Sequence, residues 1–154
     1  MSHELILIKV NGPDKPGITF TLLDVISQGS HVVRDMGQSV THGLLSLSIL
    51  IEIQSGDNDY PVIKDLLFAA KKLGLALDFE TFNDSEYSHI KKTVGPKFIL
   101  NVVSTNPIPV EFLKETSKTL SDHNVNIHRI DTIDPEEFKA LEITTSVTKD
   151  IDWD

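Results

Sequence analysis

The feature that most constrains this chain is a repeat at domain period. A pattern of strand, helix, strand and strand is spelled twice, about 94 residues apart. The offset sets Ser121-Asp122-His123-Asn124-Val125 over Ser27-Gln28-Gly29-Ser30-His31. A chain of 154 residues could be one ordinary domain, but a repeat of this length argues for two small ones. Polar residues 83–96, closing on Gly95-Pro96, separate the copies. The boundaries are therefore expected at 1–83 for the first domain, 84–96 for a linker with room for one helical turn, and 97–154 for the second.

The first copy is the fuller. Residues 4–10, Glu-Leu-Ile-Leu-Ile-Lys-Val, spell a buried strand. Asn11-Gly12-Pro13-Asp14-Lys15-Pro16-Gly17 follows, with two prolines and two glycines that predict a turn rather than an element interior. Pro16 suits the first turn of a helix and Asp14 its cap. Ile18, Leu22, Val25 and Ile26 then keep helical spacing up to Gln28-Gly29. Strands are predicted over 31–40 and 44–53, joined by a hairpin turn at Thr41-His42-Gly43. Leu45, Leu47, Ile49 and Ile51 alternate with Ser46, Ser48 and Leu50, which makes one face strongly apolar. A helix over 60–73 carries the stripe Ile63, Leu66, Leu67, Ala70, Leu73, and Gly74 closes it. A strand over 75–82 completes βαββαβ. That order predicts an α+β, ferredoxin-like module: an antiparallel sheet with two helices on one face and right-handed crossovers.

The second copy predicts a strand over 98–103, a helix over 111–122 with Phe112, Leu113 and Leu120 apolar, and strands over 125–133 and 138–147. It stops at βαββ. A half-built module leaves sheet edge and core uncovered. The expectation is that the chain is a piece of a longer protein, the alternative being that a partner chain fills the gap.

Composition excludes several classes of function. Lys and Arg number 14 against 23 Asp and Glu, a net charge of −9 without a basic patch, so no nucleic-acid surface is expected. No apolar run reaches the roughly 18 residues that span a bilayer, and the first residues lack the basic start of a signal peptide. There is no cysteine, which excludes a disulfide framework, a thiolate metal site and a thiol nucleophile. A cytoplasmic location is expected.

Catalytic signals are absent. His3, His31, His42, His89, His123 and His128 form neither an H-x-x-x-H nor an H-E-x-x-H spacing. Asp57-Asn58-Asp59 and Asp150-Ile151-Asp152 both spell D-x-D. The first reads as a turn and helix cap, and no fold is expected after the second to hold a metal. No catalytic residue and no metal site are expected in this chain.

The loop Asn11–Gly17 is the one candidate site. It joins a buried strand to a helix start, where free backbone N–H groups and the helix dipole favour an anion such as a carboxylate. Gly17 permits close approach, and Asp14 could pair with an ammonium group. Carboxylate and ammonium together describe a free amino acid; the alternative is a tight turn with an ordinary cap.

The run Val10-Asn11-Gly12-Pro13-Asp14-Lys15-Pro16-Gly17-Ile18 resembles the D-x-P-G-I signature of ACT domains, βαββαβ regulatory modules that bind small amino acids. The second loop, Ser104-Thr105-Asn106-Pro107-Ile108-Pro109-Val110, lacks both the aspartate and the glycine, so the expectation of a ligand falls on the first. Residues 35–50, Leu66-Leu67-Phe68-Ala69-Ala70 and Asn126-Ile127-His128-Arg129-Ile130 are similar to the tandem ACT region of long bacterial phosphoserine phosphatases. The resemblance implies a regulatory region for L-serine biosynthesis that binds L-serine or glycine. The implied ligand contacts are Asn11, Asp14, Gly17 and Ile18, with Gln38 reaching in from a partner module, and the implied assembly is a homodimer through ACT modules. Mg²⁺ would belong to a phosphatase domain outside this chain, with no cofactor within it. The alternative is a free-standing tandem ACT regulator similar to the repressor of the glycine cleavage system, acting through protein–protein contacts.

Overall fold

The computed structural model describes residues 4–53, 61–83, 85–88, 95–133 and 138–147. His3, His89, both D-x-D pairs and the connection at 134–137 lie outside these. The chain divides into two compact units, 1–87 and 88–154.

The first unit runs β1 (Glu4–Pro13), α1 (Ile18–Ser27), β2 (Val32–Thr41), β3 (Leu44–Ile53), α2 (Pro61–Leu73) and β4 (Ala76–Asn83). Its sheet has the order β2-β3-β1-β4, antiparallel throughout. This is the ferredoxin-like βαββαβ arrangement that the order of elements predicts. Alternation sorts the strands into two faces. Ile6, Ile8 and Val10 of β1 and the odd-numbered residues Leu45–Ile53 of β3 point to the helices, where they bury against Ile18, Leu22, Ile26, Val62, Ile63, Leu66 and Ala70. Each Val, Leu or Ile among them contributes roughly 1.5 to 3 kcal/mol when removed from water. The outer face is polar at Lys9, which pairs with Glu80, and holds the buried Glu52 against Arg34.

Turn chemistry fixes the ends. His42 and Gly43 both adopt positive φ, 52° and 75°, the signature of a two-residue hairpin turn. Gly74 at φ 74° ends α2 in a Schellman motif: its N–H donates to Lys71 O at 3.1 Å and Leu75 N–H to Ala70 O at 2.9 Å. After β4, Asn83 and Glu86 exchange backbone and side-chain hydrogen bonds, each 2.9 Å. This capping box starts the single helical turn at 85–88.

Three local expectations fail. β1 does not stop at Val10 but continues to Pro13, because β3 extends to Leu44 and the ladder carries Asn11, Gly12 and Pro13 with it. Pairing with a long partner strand outweighs turn composition. Pro16 is not in the first helical turn, since α1 begins at Ile18. Asp14 is not the cap; that place belongs to Gly17.

Gly12 has a specific role. A Cβ there would stand 2.6 Å from Leu75 Cδ2 and 3.3 Å from Leu75 Cα, so the strand end passes close to the exit of α2. Gly12→Ala is expected to cost about 1 to 3 kcal/mol by overpacking, measured as a lower urea midpoint with an unchanged m-value.

The second unit runs β5 (Lys97–Ser104), α3 (Val110–Asp122), β6 (Val125–Ile133) and β7 (Lys139–Val147), with sheet order β5-β7-β6. It repeats the first βαββ down to a β-bulge. β2 shifts register between Val33 and Asp35, and β6 between Ile127 and Arg129. The bulged residues reach the central strand in both copies: Arg34 to Glu52, and His128 to Ser146. β7, the middle strand, is buried at Ala140, Leu141, Ile143, Thr145, Ser146 and Val147. No residue of α3 is buried, and Phe112 stays exposed; among the described residues no second helix lies against it.

Candidate functional site

β1 delivers the chain to the loop with Val10 fully buried. The Asp14 N–H then donates to Gly43 O at 2.8 Å, which ties the loop to the β2–β3 hairpin turn. Gly17 sits in the left-handed region at φ 91°, a conformation that suits glycine. Its carbonyl accepts from both the Thr21 N–H and the Thr21 hydroxyl, each at 2.9 Å. That N–H makes the first intrahelical bond. The N–H groups of Ile18, Thr19 and Phe20 precede it, so they have no helical acceptor. No side chain caps this end, and no acidic residue stands in the first turn. The positive end of the α1 dipole is thus left for an outside anion.

Space and polar partners complete the geometry. Nothing lies within 4 Å of where a Gly17 Cβ would stand. The Asp14 carboxylate is exposed and engages no hydrogen-bond or ion-pair partner among the described residues. Gln38 comes to the same helix start: the Thr19 hydroxyl donates to Gln38 Oε1 at 2.6 Å. Gln38 pairs with Leu47, and Leu47 with Val10, so register alone places Gln38 on the helix-facing side. Within this module, then, Gln38 stands at the start of its own α1. With Oε1 engaged by Thr19, the Gln38 side chain keeps its NH₂ as a donor.

The structure brings Gln38 to the start of α1 through Thr19, beside Gly17 and the Ile18 N–H; Asp14 lies three residues back along the loop, tied to the hairpin turn by its backbone. The structure does not bring Asn11 there. Asn11 pairs with Ser46 and Ala76 and is one residue out of phase with Val10, so it stands on the outer face of the sheet. The Ile18 side chain is only 2% exposed and packs in the core; only its backbone faces the loop. Thr19 escaped the sequence reading, because a hydroxyl at the second helical residue gains meaning only once the β2 register is known.

The second loop differs physically. Pro109 is the N-cap of α3 in extended conformation (φ −67°, ψ 147°), and Glu111 occupies the first turn. A carboxylate already stands at that helix end, and no left-handed glycine opens it. Among the described residues no cluster of three or more His, Asp or Glu could hold a metal ion. No helix among these residues is long and apolar enough to cross a membrane.

The sequence profile of the ACT domain family matches residues 4–80. The chain belongs to the ACT domain family. The phosphoserine phosphatase SerB2 of Mycobacterium tuberculosis is 27% identical over 142 residues, which is 92% of this chain and 34% of the phosphatase. The ACT chain therefore spans about a third of that relative's length. A UPF0237 protein of Methanococcus maripaludis is 32% identical over 71 residues, 46% of this chain and 76% of that protein. Two solved structures share the fold, each with a TM-score of 0.66. One, provisionally assigned as a glycine cleavage system transcriptional repressor, is 12% identical, with 97% of this chain and 84% of that one covered. The other, a protein of unknown function from Galdieria sulphuraria, is 15% identical, with coverages of 94% and 81%.

Proposed function

We propose that this chain is the amino-acid-sensing region of a phosphoserine phosphatase-like protein, with L-serine as the ligand of its first ACT module. The observation that carries the reading is the uncapped start of α1, with Gly17 in the left-handed region and open space beside it. The ligand carboxylate would take the N–H groups of Ile18 to Phe20 and the Gln38 amide. Its ammonium would take Asp14. Similarity to a phosphoserine phosphatase over nearly the whole chain supports the choice of serine, the product of that phosphatase's reaction. The catalytic groups and their metal would lie outside this chain, and the module would work as a homodimer through the β2 edge of its sheet, beside which the described residues place no further strand.

A second reading is a free-standing regulator that binds glycine and acts through another protein. The likeness in fold to the glycine cleavage repressor structure over 97% of this chain favours it. Calorimetric titration with each of the twenty amino acids separates the two. The first expects serine to bind most tightly, the second glycine. Heat from none of them would sink both.

Gly17→Ala bears on the same site. The methyl group meets no neighbour, but left-handed backbone costs a non-glycine residue about 1 to 2 kcal/mol. Thermal unfolding should record that loss, and serine titration a roughly tenfold weaker affinity, because the methyl enters the space assigned to the ligand.

A further inference from the structure

A second surface of the first module is also built to bind, away from the start of α1. β4 ends the sheet order β2-β3-β1-β4, so among the described residues no strand lies along one side of this eight-residue strand, whose backbone there is available for a further ladder. On the helix side of that edge lies an open cavity of about 730 Å³ between α2 and β4. Its walls are Ile63, Leu67, Phe68, Leu75, Leu77 and Phe79. Three of them remain well exposed: Leu67 at 44%, Phe68 at 56% and Phe79 at 42%.

Charge narrows the occupant. Lys64 and Lys71 also line the cavity, and no acidic residue does. They stand seven residues apart on α2, two turns or about 10 Å along the axis, so both share the face that carries Leu67 and Phe68. Neither ammonium has an ion pair among the described residues, in a chain of net charge −9. Two free cations bracketing an apolar groove complement carboxylates that bracket apolar side chains. An acyl chain would fill the groove yet leave the strand edge unpaired. An extended peptide satisfies both, by adding a strand while its alternate side chains enter the groove.

We propose that β4 and the groove behind it form a docking site for an extended segment of a partner protein, apolar with flanking acids, taken up as a fifth strand of the sheet.

The test displays a random library of seven-residue peptides against the full chain. Enriched sequences should alternate apolar residues with polar ones and carry Asp or Glu at the flanks. On titration of the labelled chain with a synthetic copy of an enriched peptide, the amides of β4 and α2 should shift, with those of the α1 start unmoved. Lys64→Glu with Lys71→Glu should weaken binding at least tenfold while amide dispersion stays native. N-methylation of alternate peptide bonds, which keeps the side chains but removes strand donors, should abolish binding. The proposal is overturned by any of three outcomes: no enrichment over the bare support, enriched peptides that bind the double variant equally well, or the same β4 shifts on raising the chain's own concentration without peptide, which would make the occupant a second copy.

Discussion

Asp14→Asn is expected to weaken L-serine binding about ten- to a hundredfold and to leave the fold intact. A hydrogen bond to a charged group contributes roughly 1.5 to 3 kcal/mol, and 1.4 kcal/mol is a factor of ten in affinity. An ammonium held at the loop without a counter-charge also loses part of its hydration uncompensated. The structure sharpens the second half of the expectation. Asp14 makes no cap to α1, because Gly17 occupies that place, and what anchors Asp14 is its backbone N–H to Gly43 O at 2.8 Å. Asparagine keeps that bond. Calorimetry should therefore show the loss while thermal unfolding does not move. A lower melting temperature with unchanged affinity would assign Asp14 a structural role and take the ligand away from this loop.

Leu22→Ala is expected to have the largest effect on stability. Leu22 lies at the centre of the α1 stripe with no exposed surface, packed into the cluster that includes Val10, Ile18, Leu47 and Leu66. Truncating a buried leucine costs about 2 to 5 kcal/mol in lost transfer energy and residual cavity, a large share of the 5 to 15 kcal/mol that stabilises a typical domain. For a module of this size the melting temperature should fall on the order of 10 °C or more. Phe20→Ala is the control: Phe20 sits two residues away on the same helix, 74% exposed, and should shift stability by less than about 0.5 kcal/mol. Equal losses from the two would mean that α1 does not pack as described.

Much of the fold is written in short-range patterns. The alternation through β3 marks its buried face residue by residue, since every second side chain of a strand points the same way. Thr41-His42-Gly43 and Gly74 mark a hairpin turn and a helix stop, because few residues accept positive φ at those places. The repeat announces two modules and the equivalence of their first four elements. A turn between β1 and α1 is legible as well, from the proline–glycine pair between an apolar strand and an apolar helical stripe, but the missing side-chain cap is not, because Asp14 reads as the cap until the helix is seen to start at Ile18.

The membership of the site is not legible in the same way. Asn11 and Gln38 look alike in the sequence, two amides near the loop, yet the ladder sends one to the outer face and brings the other to Thr19. The α3 stripe of Phe112, Leu113 and Leu120 has the right period for burial, yet nothing in α3 is buried. By itself, then, the sequence determines periodicity, turn chemistry and the repeat, all of which act within a few residues or by direct self-comparison. Only the tertiary structure decides which side chains meet. That depends on register across β1, β3 and β2 and on which faces find a partner, quantities set by hydrogen-bonded ladders and packing between segments far apart in the chain.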